Sequence, residues 1–156
     1  MLAWRVSRER RATDLSGTGA ALEGGRWNEQ DVPAVYMGLS PAICCLETFV
    51  HTTRRPTFAL KITCFELPDD EALYFEPDVS ELPDGWNAVP ADTPSMLYGT
   101  AWLRSPSHLG LVVPSSVLPL ERNLVVNPAH PGIGEVRVRA SYDFLYDDRM
   151  FTHRTR

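Results

Sequence analysis

Lysine is nearly missing from this chain: of its 15 basic side chains one, Lys61, is lysine and the other 14 are arginine. Schiff-base chemistry and a P-loop phosphate lysine therefore have a single candidate, and no G-x-x-x-x-G-K pattern surrounds it. Any phosphate or carboxylate that is bound falls to arginine, which keeps its charge and presents a planar donor fork. Cysteine is scarce as well. Cys44, Cys45 and Cys64 build no disulfide framework, and no C-x-x-C or Cys/His spacing points to zinc, so buried thiols in a reducing cytoplasm are expected. No run approaches the ~18 apolar residues of a membrane span, and the opening Met-Leu-Ala-Trp-Arg5 places a charge where an export signal needs an apolar core. No basic run exceeds Arg10-Arg11 or Arg54-Arg55, and the net charge is −5, which argues against nucleic acid as the main ligand.

What remains is ordinary for one compact domain. At 156 residues, 44% hydrophobic and 22% charged, the chain has room for one core, and a single domain over residues 1–156 is expected. The charge is unevenly distributed. Residues 62–103 carry nine acids and no Lys or Arg; outside them 15 basic residues face 11 acidic ones, a net +4 that suits an anionic small molecule. Within the acidic stretch, residues 66–92 read as solvated loop.

Proline, 13 of 156 residues and above the roughly 5% average, punctuates the chain and disfavours long helices. Strands are expected at Leu2 to Val6, Val32 to Gly38, Phe58 to Leu67, Leu109 to Val113, Asn123 to Asn127 and Ile133 to Arg139, with Asp14 to Gly25 a loop. Ser40-Pro41, an N-cap followed by proline at the first helical position, predicts a helix through Val50. Ile43, Leu46 and Val50 form its apolar stripe, and at 100° per residue Glu47 falls about 40° from the stripe's Ile43 edge. A second helix is expected from Thr93-Pro94 to Leu103. The class is α+β: a twisted, mostly antiparallel or mixed central sheet with short flanking helices.

Several patterns fail as motifs. Gly17-Thr-Gly19-Ala-Ala-Leu22 lacks the third glycine of a dinucleotide fingerprint, no serine sits in a G-x-S-x-G elbow, and His51, His108, His130 and His153 lack metal-ligand spacing. No metal site is expected. Three patterns carry more. Gly24-Gly25-Arg26-Trp27-Asn28 sets a fixed cation beside a flexible turn and an indole, a combination suited to a diphosphate and an aromatic base, or equally to a turn with a core tryptophan. Val35-Tyr36 ends a strand one capped helix start away from Glu47, which is either a site carboxylate or a structural one. Val113-Pro-Ser115-Ser116 ends an apolar strand in hydroxyls, followed by a proline- and asparagine-rich stretch from Glu121 to Pro131.

In order and spacing these residues resemble the RES-domain toxins of bacterial toxin–antitoxin pairs over nearly the whole length. The likeness runs through Trp4-Arg5-Val6, Asp14 to Gly19, Gly25-Arg26-Trp27, Val35-Tyr36, Ser40-Pro41 and Leu46-Glu47, then Val113-Pro114-Ser115, Asn123, Asn127-Pro128, His130-Pro131 and Asp148-Arg149. The family's Arg, Tyr, Glu and Ser fall on Arg26, Tyr36, Glu47 and Ser115, with Ser116 leaving the serine open by one position; Cys44-Cys45 stands where small residues are commoner. The resemblance implies an ADP-ribosyltransferase-like fold, NAD⁺ as substrate, a cytoplasmic setting, an Xre-like helix-turn-helix antitoxin as partner and pairing as a homodimer. It leaves NAD⁺ hydrolysis, phosphorolysis and protein ADP-ribosylation open, with a silent nucleotide-binding module as a further alternative.

Breaking the nicotinamide–ribose bond passes through an oxocarbenium-like transition state, which calls for negative charge at the ribose and an anchor for the rest of the dinucleotide. The resemblance thus casts Glu47 as acceptor for the ribose 2′-hydroxyl and Arg26, with Arg5, as the diphosphate clamp. Tyr36 orients the nicotinamide ring and Ser115 bonds the nicotinamide or ribose end. The catalytic set is Arg26, Tyr36, Glu47 and Ser115; the binding set adds Arg5, Trp27, Asn28 and Asn127.

Overall fold

The computed structural model describes residues 1–52 and 54–151, so His153 lies outside the described residues. Three helices, α1 (Thr18–Glu23), α2 (Pro41–Val50) and α3 (Thr93–Arg104), accompany seven strands: β1 (Leu2–Arg8), β2 (Val35–Gly38), β3 (Leu60–Glu66), β4 (Tyr74–Phe75), β5 (Gly110–Pro114), β6 (Arg122–Val126) and β7 (Arg137–Phe144). One sheet takes all seven strands in the order β4-β5-β6-β2-β1-β3-β7. Every neighbouring pair is antiparallel except β4 and β5, so the α+β class with a mixed, mostly antiparallel sheet holds.

Besides the two-residue strand β4, which lies in the acidic stretch expected as loop, two segments differ from expectation. Asp14 to Gly25, expected as loop, contains α1, because Gly17 (φ 71°) turns the chain into Ala20-Ala21-Leu22, three good helix formers. The last strand begins later and runs further than Ile133 to Arg139. Pro131–Glu135 forms a 3-10 turn whose Gly132 N–H donates to His130 Nδ1 at 2.9 Å, and the strand then continues to Phe144. Val136 is buried whereas Val138 is exposed, since β7 is an edge strand and the register slips between Cys64 and Phe65 of β3.

The central strands need no alternation. All five residues of β5 are buried, so both of its faces are covered and it reads as a continuous apolar run. Across the sheet, Phe65, Leu109 and Leu124 anchor one cluster, Trp27, Trp102, Leu111 and Val113 a second, and Val6, Cys44, Leu60 and Tyr146 a third beneath α2.

Helix α2 starts as its sequence dictates. The Ser40 hydroxyl accepts the Ile43 N–H at 3.2 Å, a cap worth about 1 kcal/mol, and Pro41 occupies the first turn. The helix seats directly on β2 because Gly38 has no side chain: a Cβ there would lie 2.7 Å from Ile43 Cγ2 and 2.9 Å from the Cys44 nitrogen. Ile43 and Cys44 are thereby buried, and Glu47, one turn on, is left half-buried at the ends of the central strands. Burial pushes the Cys44 thiol up to about 12, so it behaves as a small apolar group.

Candidate active site

Two neighbouring strand ends and one helix meet at Glu47. Its Oε1 accepts from Ser115 Oγ at 2.6 Å and from Asn123 Nδ2 at 2.5 Å. Ser115 follows the end of β5, Asn123 sits in β6 opposite Val113, and the two are joined by a tight connection in which the Ser115 N–H donates to the Glu121 carbonyl at 3.0 Å. Asn123 also pairs across β2 with Gly38, the residue that lets α2 sit down. Both donors therefore come from neighbouring paired strands, Asn123 from within β6 and Ser115 from just past the end of β5.

The Ser115 hydroxyl is saturated. It donates to Glu47, accepts the N–H groups of Val117 and Leu118 at 3.0 Å each, and is fully buried. It therefore holds the carboxylate and has no capacity left for a ligand. Glu47 Oε2, by contrast, bonds to none of the described residues and is not sealed off from solvent.

Arg26 is held by the acidic segment. Its Nη1 donates to the carbonyls of Trp86 and Ala88 at 2.7 and 2.9 Å, which leaves Nε and Nη2 without partners among the described residues. Burial lowers the pKa of its guanidinium from the ordinary value, and the neighbouring charges of Glu47 and Tyr36 oppose that shift. The acidic stretch, expected as solvated loop, thus contributes two carbonyls that fix a cation whose proton affinity feels Glu47.

Tyr36 lies near Arg26. Its hydroxyl donates to Asn28 Oδ1 at 2.7 Å and accepts the Trp27 N–H at 2.9 Å. Burial pushes the phenol well above its ordinary value, so it is a neutral donor. Gly25 belongs to the same knot: a Cβ there would meet the Tyr36 hydroxyl at 2.7 Å and Asn28 Oδ1 at 2.8 Å. The structure thus brings Arg26, Tyr36, Glu47 and Ser115 into one neighbourhood.

The remaining expected binding residues lie differently. Trp27 is buried, stacked on Trp86 at 6.2 Å between ring centroids and edge-on to Tyr98 at 6.1 Å, so its indole is a core aromatic with no face open to a base. Helix α3 presses onto it through Gly99, where a Cβ would come within 2.7 Å of the Trp27 Cα. Asn28 is fully buried, its Nδ2 donating to the carbonyls of Ala20, Glu29 and Val32 at 3.0 Å each. Asn127 is buried too and ties the end of α3 to the following loop, Nδ2 donating to the Leu103 carbonyl at 2.9 Å and Oδ1 accepting the Ala129 N–H at 3.0 Å. Arg5 donates from Nη2 to the carbonyls of Arg11 and Ala12 and lies 5.1 Å from the Phe65 ring centroid, sharing no hydrogen bond with the Glu47 group. These four side chains are built into the frame.

The Trp86 and Ala88 carbonyls are site elements that the residues in order do not reveal, and Asn123, one of the positions carrying the family resemblance, had no role assigned to it. No three His, Cys, Asp or Glu side chains gather as a metal group among the described residues, and no helix among them is long and apolar enough to cross a membrane. Two shallow cavities of about 450 Å³ lie elsewhere: one between α2 and residues 144–150, the other beside Asn127 and Pro128.

Comparison with known proteins places this chain in a family. The RES domain model matches residues 2–147. A Sphingobium sp. (strain YBL2) protein named "Prs ADP-ribosylating toxin" is 40% identical over 155 residues, covering 94% of each chain. A Yersinia enterocolitica (serotype O:8 / biotype 1B) protein named "Toxin Res" is 37% identical over 132 residues, covering 83% of this chain and 86% of that one. The fold matches a chain of the solved M. tuberculosis MbcT–MbcA toxin–antitoxin complex with a TM-score of 0.68 at 24% identity, over 92% of this chain and 84% of that one. The match over nearly the whole length settles the family: this chain belongs to the RES-domain family.

Proposed function

We propose that this protein is the toxin of a toxin–antitoxin pair, a single cytoplasmic domain that arrests growth by breaking the nicotinamide–ribose bond of NAD⁺. The observation that carries the reading is Glu47: one oxygen is fixed by Ser115 and Asn123, the other is free, and the Arg26 cation lies close enough to feel its charge. In the reaction the C1′–N bond breaks and its electron pair goes to the nicotinamide nitrogen, neutralising the pyridinium. Positive charge builds on the ribose, and Glu47 stabilises it while accepting the 2′-hydroxyl. Water or phosphate then bonds to C1′ and gives up a proton. Because nicotinamide leaves as a neutral ring, the site needs no strong general acid.

Arg26 binds the diphosphate through its free Nε and Nη2, held taut by the two carbonyls behind it. The Tyr36 ring orients the nicotinamide while its hydroxyl stays tied to Asn28. Trp27, Asn28 and Asn127 act by holding these groups in place; Arg5 serves β1 and its neighbouring turn. A second reading, transfer of ADP-ribose to a protein, is favoured by the printed name of the Sphingobium relative. The partner is an Xre-like helix-turn-helix antitoxin.

The purified protein incubated with NAD⁺ is expected to release nicotinamide. ADP-ribose as co-product identifies water as acceptor, its 1″-phosphate identifies phosphate, and label retained on protein in a lysate identifies ADP-ribosylation. Intact NAD⁺ in all three incubations overturns the proposal. Arg26→Lys is expected to weaken NAD⁺ binding about tenfold, because an ammonium supplies a point charge without the fork; unchanged affinity by calorimetry removes Arg26 from the clamp.

A further inference from the structure

Glu47 carries two hydrogen bonds on the same oxygen, and only one of the donors belongs to the family's Arg-Tyr-Glu-Ser set. The other, Asn123 Nδ2, is the shorter contact at 2.5 Å against 2.6 Å for Ser115 Oγ. A carboxylate attached by one side-chain donor can rotate about its last bond and exchange its two oxygens; two donors converging from neighbouring strands on one oxygen fix the plane. We infer that Asn123 is a positioning residue that selects which oxygen of Glu47 faces the substrate, with Oε1 tied to the sheet and Oε2 presented to the ribose.

Three features make this a built arrangement. Asn123 is in register with Gly38 on one side and Val113 on the other, so its backbone is paired on both edges and has little freedom. Its amide reaches Glu47 across 76 residues of sequence. Its Oδ1 bonds to no described residue and is not sealed from solvent, so no internal structural bond other than the one to Glu47 accounts for an amide at this position. Ser115 alone would leave the carboxylate free to swing toward the Arg26 cation, whose own proton affinity feels the charge of Glu47. A direct ion pair there would consume the charge the ribose requires.

The inference deepens the NAD⁺-cleaving reading and rests on it only for the kinetic part of its test. In Asn123→Ala, turnover is expected to fall about tenfold while KM for NAD⁺ stays within about twofold, since the anchor at Arg26 is untouched and only the transition-state contact is misaligned. In a Glu47→Gln background the same substitution is expected to cost less than about twofold, because the group it positions has already lost its charge. Wild-type turnover in Asn123→Ala, or equal losses in both backgrounds, overturns the inference. The arm independent of catalysis uses the ¹⁵N-labelled wild-type chain and Glu47→Ala. One Asn123 side-chain amide proton is expected well downfield in the wild type and is expected to return toward its geminal partner in Glu47→Ala. An unmoved pair of resonances overturns the clamp even in a protein that spares NAD⁺, and intact NAD⁺ with a moved pair overturns the cleavage reading alone.

Discussion

Glu47→Gln is expected to slow NAD⁺ loss by about a hundredfold, roughly 3 kcal/mol of transition-state stabilisation, with little change in fold or in affinity for NAD⁺. The geometry makes this substitution a clean test. The amide oxygen of Gln can occupy the Oε1 position and still accept from Ser115 Oγ and Asn123 Nδ2, so the two donors stay satisfied and the side chain stays in place. Its NH₂ then takes the Oε2 position, where an acceptor with negative charge becomes a neutral donor facing the 2′-hydroxyl and the developing ribosyl cation. Ground-state binding through Arg26 is unaffected, so the loss falls on turnover. Single-turnover rates of nicotinamide release check this. Near wild-type turnover removes Glu47 as the charge stabiliser, and a matching rise in KM moves its role to binding.

Why Glu47 was legible in the sequence and its partners were not follows from the range of the forces involved. Ser40, Pro41 and the Ile43, Leu46 and Val50 stripe are local signals, read within one helix, and they place Glu47 at the helix edge before any tertiary contact is known. Both ends of β5 and β6 are likewise legible to within one residue, and β2 at its Gly38 end though not at its start three residues later than expected, because apolar runs bounded by Pro, Gly and Asn read as strands in any context. Edge strand β7 was truncated in the reading because Ser141, Tyr142 and Asp143 face water and carry no apolar alternation. The resemblance grouped Arg26, Tyr36, Glu47 and Ser115; residue types alone left each pattern with a structural alternative.

Asn123 is among the residues that carry the family resemblance, but nothing in its local sequence indicates its role. An asparagine near a strand start is common, and its meaning arises only when β6 pairs with β2 and β5 and α2 descends over Gly38. The grip on Arg26 was still less visible, since it comes from two backbone carbonyls, which every residue possesses. Conversely, Trp27, Asn28 and Asn127 looked like ligand contacts because aromatic and amide side chains serve both roles. Burial decides between those roles, and burial is a property of the fold.

Asn28 provides the largest stability effect expected in the protein, and its order of substitutions is diagnostic. Its two amide N–H bonds serve three carbonyls, those of Ala20, Glu29 and Val32, while its oxygen takes the Tyr36 hydroxyl, all in a site with no solvent exposure. Asn28→Asp keeps the shape and turns the donor atom into an acceptor, so an oxygen faces three carbonyl oxygens at 3.0 Å. A buried carboxylate there must take up a proton, and even then supplies one donor for three acceptors. The expected cost is about 3–5 kcal/mol, a large part of the 5–15 kcal/mol typical of a domain. Asn28→Ala removes the repulsion and leaves the orphaned groups, so about 2–3 kcal/mol is expected. Urea unfolding followed by tryptophan fluorescence tests the order, with Asp less stable than Ala and Ala less stable than the parent; equal midpoints for all three mean that the amide does not hold the Gly25 to Tyr36 knot. Activity links the two sites. Because the Tyr36 hydroxyl and the Arg26 turn both depend on Asn28, Asn28→Ala is expected to lose NAD⁺ affinity under conditions where it is still fully folded, an effect a purely global destabilisation does not produce.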